Sequence, residues 1–165
     1  QFDIVFSNAT LHWVKDHERL LKNVRIALRT GGRLRFDFAG EGTCSSFFRV
    51  IREAMLREQF LPSFAGFQWP WCMPSVEEYR SLVDRNGLHN ARVWGENADR
   101  FFPDVDAMVR WVDQPSLVPF LVCVPEETKK AFREFVVARM IGETRQEDGR
   151  CFETFRRINV AAEVP

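Results

Sequence analysis

The first forty residues alternate between two hydrophobic periods. Phe2, Ile4, Val5 and Phe6 form a short apolar run interrupted only by Asp3, which predicts a strand over residues 2–6 with apolar side chains on both faces. A polar turn, Ser7-Asn8-Ala9-Thr10-Leu11-His12-Trp13, follows. Leu20, Leu21, Val24, Ala27 and Leu28 then recur at helical spacing, predicting a helix from about His17 to Arg29. Asp16 is its expected cap, Glu18 suits its positive end, and Gly31-Gly32 is its expected stop. Residues 33–38 alternate strictly, with Leu34, Phe36 and Phe38 on one face and Arg33, Arg35 and Asp37 on the other. Strand, helix and strand make a βαβ unit and imply a parallel sheet. Ligands of open parallel sheets sit at the carboxyl ends of the strands, which directs attention to Ser7–Trp13 and to the residues after Phe38.

Beyond this unit, a helix is predicted from about Cys44 to Glu58, presenting Phe47, Phe48, Ile51, Ala54 and Met55. Residues 60–74 hold Phe60, Phe64, Phe67, Trp69 and Trp71 among Pro62, Pro70 and Pro74; that proline density forbids a regular helix and predicts a packed, irregular lid. Ser75 and Glu78 have the spacing of a capping box, opening a helix to about Arg85, and Asn86-Gly87 stops it. A strand is expected at about 90–95. Asp104 caps a further helix, and Pro115 and Pro119 bracket a turn. Pro125, Glu126 and Glu127 begin a helix whose stripe is Ala131, Phe132, Phe135, Val136 and Met140, with Gly142 as its expected end. Asp148-Gly149 is a turn signal, and residues 150–162 read as one long closing strand. The organisation expected is one α/β domain over 1–165, with helical lid elements at about 43–74 and 104–142.

Charge and cysteine usage narrow the function classes. Lys plus Arg and Asp plus Glu are 23 each, so the basic excess of a nucleic-acid binder is lacking. No apolar run approaches the roughly 18 residues needed to span a bilayer, and with no basic-plus-apolar run at the front of these residues, secretion is not expected. The four cysteines, Cys44, Cys72, Cys123 and Cys151, are far apart, which fits reduced thiols and a cytoplasmic protein. His12, His17 and His89 do not have metal-ligand spacing, so no metal is expected. The chain starts without Met, one residue before a strand, and the expectation is a piece of a longer protein.

Phe2-Asp3-Ile4-Val5-Phe6-Ser7-Asn8-Ala9, Leu11-His12-Trp13 and Gly31-Gly32 resemble the fourth strand, its helix and the fifth strand of class I S-adenosylmethionine (SAM)-dependent methyltransferases. Trp111 followed by Leu117-x-Pro119-Phe120-Leu121, and Asp148-Gly149-Arg150 followed by Phe155-x-Arg157, are similar to the trans-aconitate methyltransferase group. The resemblance covers nearly the whole chain but only the second half of that family's domain. It implies a partial Rossmann-like sheet of strands at about 2–6, 33–38, 90–95 and 150–162. The last would be antiparallel and lie between the second and third.

The resemblance also implies SAM as cofactor, with Ser7, Asn8, Ala9, Leu11 and Trp13 beside it. The bland alternative is that Asn8 merely closes the turn. His12, Trp71 and Arg157 are the candidate acceptor contacts. Arg157 matches the family's position, and its alternative is a strand arginine paired with a surface acid such as Glu153. Arg156 is a second candidate without such a match. Arg35 and Asp37 are expected to pair across strands or face water, Asp37 staying a candidate because it is near a strand end. A carboxylate acceptor titrates near about 4 and needs no general base, so no catalytic acid–base pair is expected. The family's Gly-rich cradle and ribose-binding acid have no counterpart here. The chain alone is therefore expected to bind SAM weakly or not at all and to lack activity. An unpaired first strand further predicts a homodimer. The alternative function is a non-catalytic half kept for dimerisation or small-ligand binding; other acceptors, such as a carrier-bound thioester or a lipid precursor, stay open.

Overall fold

The computed structural model of the chain describes residues 1–165, Pro115 excepted, so the turn expected at Pro115 lies outside the described residues. The chain forms two compact units, one of residues 1–43, 69–98 and 155–165, the other of residues 44–68 and 99–154.

The first unit holds a four-stranded sheet. Its strands are β1 (Phe2–Asn8), β2 (Leu28–Ala39), β3 (His89–Asn97) and β6 (Arg156–Glu163), in the order β1-β2-β6-β3. β1 and β2 are parallel, and β6 runs antiparallel to both β2 and β3. This is the order and sense expected of the partial Rossmann-like sheet. Two helices cover one face, α1 (His17–Ala27) and α3 (Val76–Arg85). Leu21 and Val24 of α1 and Tyr79 and Val83 of α3 pack with Leu34, Phe36 and Phe38 of β2 and Ile158 and Val160 of β6. The alternation in β2 decides this: every second side chain is aliphatic or aromatic and is driven under the helices. Both expected caps form. Asp16 accepts from the Arg19 amide, and Ser75 and Glu78 exchange backbone and side-chain bonds as a complete capping box.

The double glycine acts differently from the expectation. α1 stops at Ala27, before Gly31-Gly32, and β2 begins at Leu28. Phe2 pairs with Leu28 while Ile4 pairs with Arg33, so the glycines belong to an irregularity inside the strand. Gly31 has φ +72°, and a Cβ on Gly32 would lie 2.8 Å from the Arg29 carbonyl oxygen; the kink needs glycine at both places. β1 is an edge strand, and Phe2, Ile4 and Phe6 are 64%, 64% and 66% exposed.

The second unit is helical and rich in phenylalanine. It contains α2 (Ser45–Met55), α4 (Val105–Trp111), α5 (Val118–Leu121) and α6 (Glu126–Thr144), with a two-stranded sheet of β4 (Arg100–Phe102) and β5 (Cys151–Glu153). Phe47, Phe60, Phe102, Phe120 and Phe132 are fully buried, and Phe60 and Phe132 meet edge to face at 5.0 Å. Three expectations change here. The helix expected over 44–58 is shorter. α6 continues past Gly142 to Thr144, because a glycine interrupts helix propensity without ending a helix that is buried along Phe132, Val136 and Met140. The closing strand expected over 150–162 is divided: β5 pairs with β4, and β6 enters the large sheet.

Glu153 accounts for how α2 starts. Cys44, its N-cap, is in the left-handed region and supplies no side-chain cap. Instead the Ser45 amide donates to Thr154 Oγ1 at 2.9 Å, and the Ser46 and Phe47 amides donate to the Glu153 carboxylate at 3.2 and 2.9 Å. A residue more than a hundred positions away thus satisfies amides that helices leave without intrahelical partners. Glu153 is completely buried.

Candidate active site at the strand ends

β1 ends where the chain must leave the sheet. Ala9 takes φ 55°, and its amide donates to the Asp37 carbonyl at 2.7 Å, the last tie between β1 and β2. The Thr10 hydroxyl donates to the Asn8 carbonyl at 2.9 Å. One turn of 3-10 helix, Leu11–Trp13, follows. Leu11 turns into the core, while Trp13 stays 40% exposed and meets Trp71 edge-on at 5.4 Å between ring centroids. The Cys72 amide donates to the His12 carbonyl at 2.8 Å, fastening the segment that carries Trp69 and Trp71 to this turn. Trp69 and Trp71 lie 6.4 Å apart.

Arg157 reaches the same place from β6. Its guanidinium donates to Asn8 Oδ1 at 3.0 Å and forms an ion pair with Asp37. The register puts these groups side by side: Asn8 is opposite Asp37 on β2, and Ala39 is opposite Arg157. Glu153 is therefore not the partner of Arg157, since it is buried under α2; Asp37 has that role. The polar face of β2 also finds cross-strand partners. Arg35 donates to Asn159 Oδ1 at 2.6 Å and lies 4.8 Å from the Trp94 ring, and Asn159 donates to Glu96 at 3.0 Å.

Besides Asp37 Oδ1, which is ion-paired with Arg157, two polar atoms at this corner are buried without a hydrogen-bond partner, His12 Nδ1 and Arg157 Nε. Leaving such atoms unpaired costs about 1–3 kcal/mol each. Burial, and after it the nearby Arg157 cation, pushes the His12 imidazole below its ordinary range and keeps it neutral at pH 7. Burial also lowers Arg157 from its usual value, though a guanidinium stays charged. A cleft of about 190 Å³ lies beside Arg157, lined also by Gly40, Ser75, Glu96 and Arg156.

Of the residues picked out from the sequence, Asn8, His12, Trp13, Trp71 and Arg157 gather here, with Ser7 and Ala9 in the adjoining backbone. Leu11 contributes its carbonyl and its core side chain. Sequence reasoning missed His17, which is buried between this turn and α3. Its place on the apolar stripe of α1, three and four residues before Leu20 and Leu21, was the available signal. Among the described residues no cluster of three or more potential ligands has the geometry to hold a metal ion, and no helix is long and apolar enough to cross a membrane.

A family model for a methyltransferase domain matches residues 1–36, the segment holding β1, the turn, α1 and the start of β2. An uncharacterized methyltransferase of Schizosaccharomyces pombe (strain 972) is 27% identical over 165 residues, covering 98% of this chain and 62% of that protein. Trans-aconitate 2-methyltransferase of Acidovorax sp. (strain JS42) is 26% identical over 164 residues, again covering 98% and 62%. The chain thus spans less than two thirds of the length of these curated relatives. The solved structure of loganic acid methyltransferase with SAH superposes with a TM-score of 0.59 at 11% identity, over 99% of this chain and 62% of that one, a likeness of fold. The chain resembles class I SAM-dependent methyltransferases, with trans-aconitate 2-methyltransferases among its relatives.

Proposed function

We propose that this chain is the carboxyl-terminal half of a SAM-dependent methyltransferase that modifies a small carboxylate, in the manner of the trans-aconitate enzymes. The observation that carries the reading is the corner just described. The end of β1, the His12 turn and Arg157 converge there, with His12 Nδ1 and Arg157 Nε buried and still available to a polar acceptor.

SAM, when bound, supplies an electrophilic methyl group. The chain's residues fit one wall of its site: the backbone of Ser7, Asn8 and Ala9 at the strand end, with Leu11 and Trp13 in the turn beyond. The chain spans less than two thirds of its curated relatives, and the rest of the cofactor site is assigned to the part of such a protein outside these residues. Methyl transfer to an ionised carboxylate is a displacement that needs alignment and dryness rather than a proton acceptor. Arg157 has the planar fork suited to a carboxylate, and Asn8 and Asp37 hold that fork in place. His12, neutral, offers a hydrogen bond without adding charge. Trp13 and Trp71 shield the acceptor from water.

The test is methyl transfer from labelled SAM on the complete gene product, with trans-aconitate and a panel of other small acids. Arg157→Ala should raise the acceptor KM by about 100-fold, the value of one charge-assisted pair, with the SAM KM little changed. Transfer to none of the acids, or an acceptor KM indifferent to Arg157→Ala, would refute the reading.

A second reading is favoured by the exposed Phe2, Ile4 and Phe6 on the unpaired edge of β1. In it the chain is a non-catalytic module, and two copies associate through that strand as a homodimer. A monomer by light scattering at tens of micromolar would remove it.

A further inference from the structure

His17 opens α1, yet its side chain is only 5% exposed. Its Nε2 lies 3.1 Å from the Leu11 carbonyl oxygen, and its Nδ1 lies 3.0 Å from the Tyr79 hydroxyl. A carbonyl can only accept, so Nε2 carries the proton and Nδ1 accepts from Tyr79. The imidazole packs against the rings of Phe38 and Tyr79, each 5.3 Å away, which also meet each other at 5.0 Å. The ring therefore has one orientation and one tautomer, clamped by β2 and α3. The carbonyl it holds also accepts from the Val14 amide at 2.8 Å, closing the turn that presents His12 and Trp13.

We propose that His17 is a positioning residue: its neutral, Nε2-protonated imidazole fixes the Leu11–Trp13 turn and so sets where His12 and Trp13 stand. This rests on the reading that the turn faces cofactor and acceptor. The alternative is a core histidine that adds stability and nothing local. The two differ in what a substitution does. A glutamine amide reaches about as far as Nε2 and can still donate to Leu11. An asparagine amide reaches only the Nδ1 position, so it keeps the Tyr79 partner and loses Leu11.

The experiment is native-state amide exchange on the chain itself. The Trp13 and Val14 amides, bonded to Thr10 and Leu11, report the turn, and those of Val83 and Val160 report the core. His17→Asn should speed exchange at Trp13 and Val14 about fivefold to tenfold relative to the core, the loss of one hydrogen bond. His17→Gln should keep the ratio within about twofold of the unaltered chain. Equal effects from the two variants, or no change relative to the core in either, would overturn the proposal. Should His17→Asn fail to fold, nitrogen NMR of the unaltered chain decides. An Nε2-protonated neutral ring supports the assignment, and an Nδ1-protonated or cationic ring at pH 7 refutes it. None of these readouts involves methyl transfer, so they stand whatever an activity assay returns.

Discussion

Replacing Glu153 probes the least expected joint in the chain. Its carboxylate accepts from the Ser46 and Phe47 amides at the start of α2 and from the Thr154 amide at 2.8 Å. All three donors face a side chain that water does not reach. Glu153→Gln keeps the volume but exchanges one acceptor oxygen for an NH2 group that meets an N–H. One or two bonds to a charged acceptor are lost, at about 1.5–3 kcal/mol each, together with part of the charge–dipole term. A net loss of about 2–4 kcal/mol is expected once local relaxation is allowed for. For a chain of this length that corresponds to a fall in Tm of about 5–15 °C. Glu153→Ala, which also opens a cavity, should be at least as damaging. Urea and thermal unfolding followed by circular dichroism measure both, and the loss should persist in high salt, because buried bonds are poorly screened. A Glu153→Gln change below about 0.5 kcal/mol would refute the idea that this carboxylate starts α2.

Other outcomes follow from the same physics. Burial holds both His17 and His12 below the ordinary imidazole value of 6.5. The folded chain therefore binds fewer protons than the unfolded one just below that pH. This stability is complete above about 6.5 and is lost as pH falls toward the folded values, at up to about 1.4 kcal/mol per pH unit for each proton withheld. His17→Gln should flatten a plot of urea midpoint against pH below about 6.5; an unchanged slope would contradict the assignment. Two Gly→Ala substitutions should have opposite signs in thermal melts. At Gly40 a Cβ would lie 2.7 Å from Ile158 Cγ1, and a loss of about 1–3 kcal/mol is expected, whereas at Gly142, in α6 with nothing within 4 Å, alanine should gain up to about 1 kcal/mol. Tyr79→Phe leaves His17 Nδ1 without its donor and should cost about 1–2 kcal/mol by urea unfolding.

The elements that periodicity specifies were legible in the sequence. The βαβ unit, the alternation of β2, and the caps at Asp16, Ser75 and Asp104 depend on neighbours within a few residues, so spacing alone reveals them. The place of β6 between β2 and β3 is a long-range pairing that came from the resemblance and not from any local pattern. What was missed depends on partners remote in sequence. Glu153 looks like a surface acid until α2 is laid over it. The closing strand changes sheets at Thr154-Phe155, where no glycine or proline marks a break. Gly142 looks like a helix end because propensity cannot see the buried stripe that carries α6 onward. At the site, the turn and Arg157 were identifiable as candidates. The pairing of Arg157 with Asp37 and Asn8 required the register of three strands.

The claim on which the function depends is that the turn after β1 meets SAM. Titrating the nitrogen-labelled chain with SAM and following backbone amides by NMR tests it most directly. The amides of Ser7 to Trp13 should shift as SAM is added, saturating by millimolar concentration. No shifts at millimolar SAM, or shifts confined to the cleft at Gly40 and Ser75, would contradict the account.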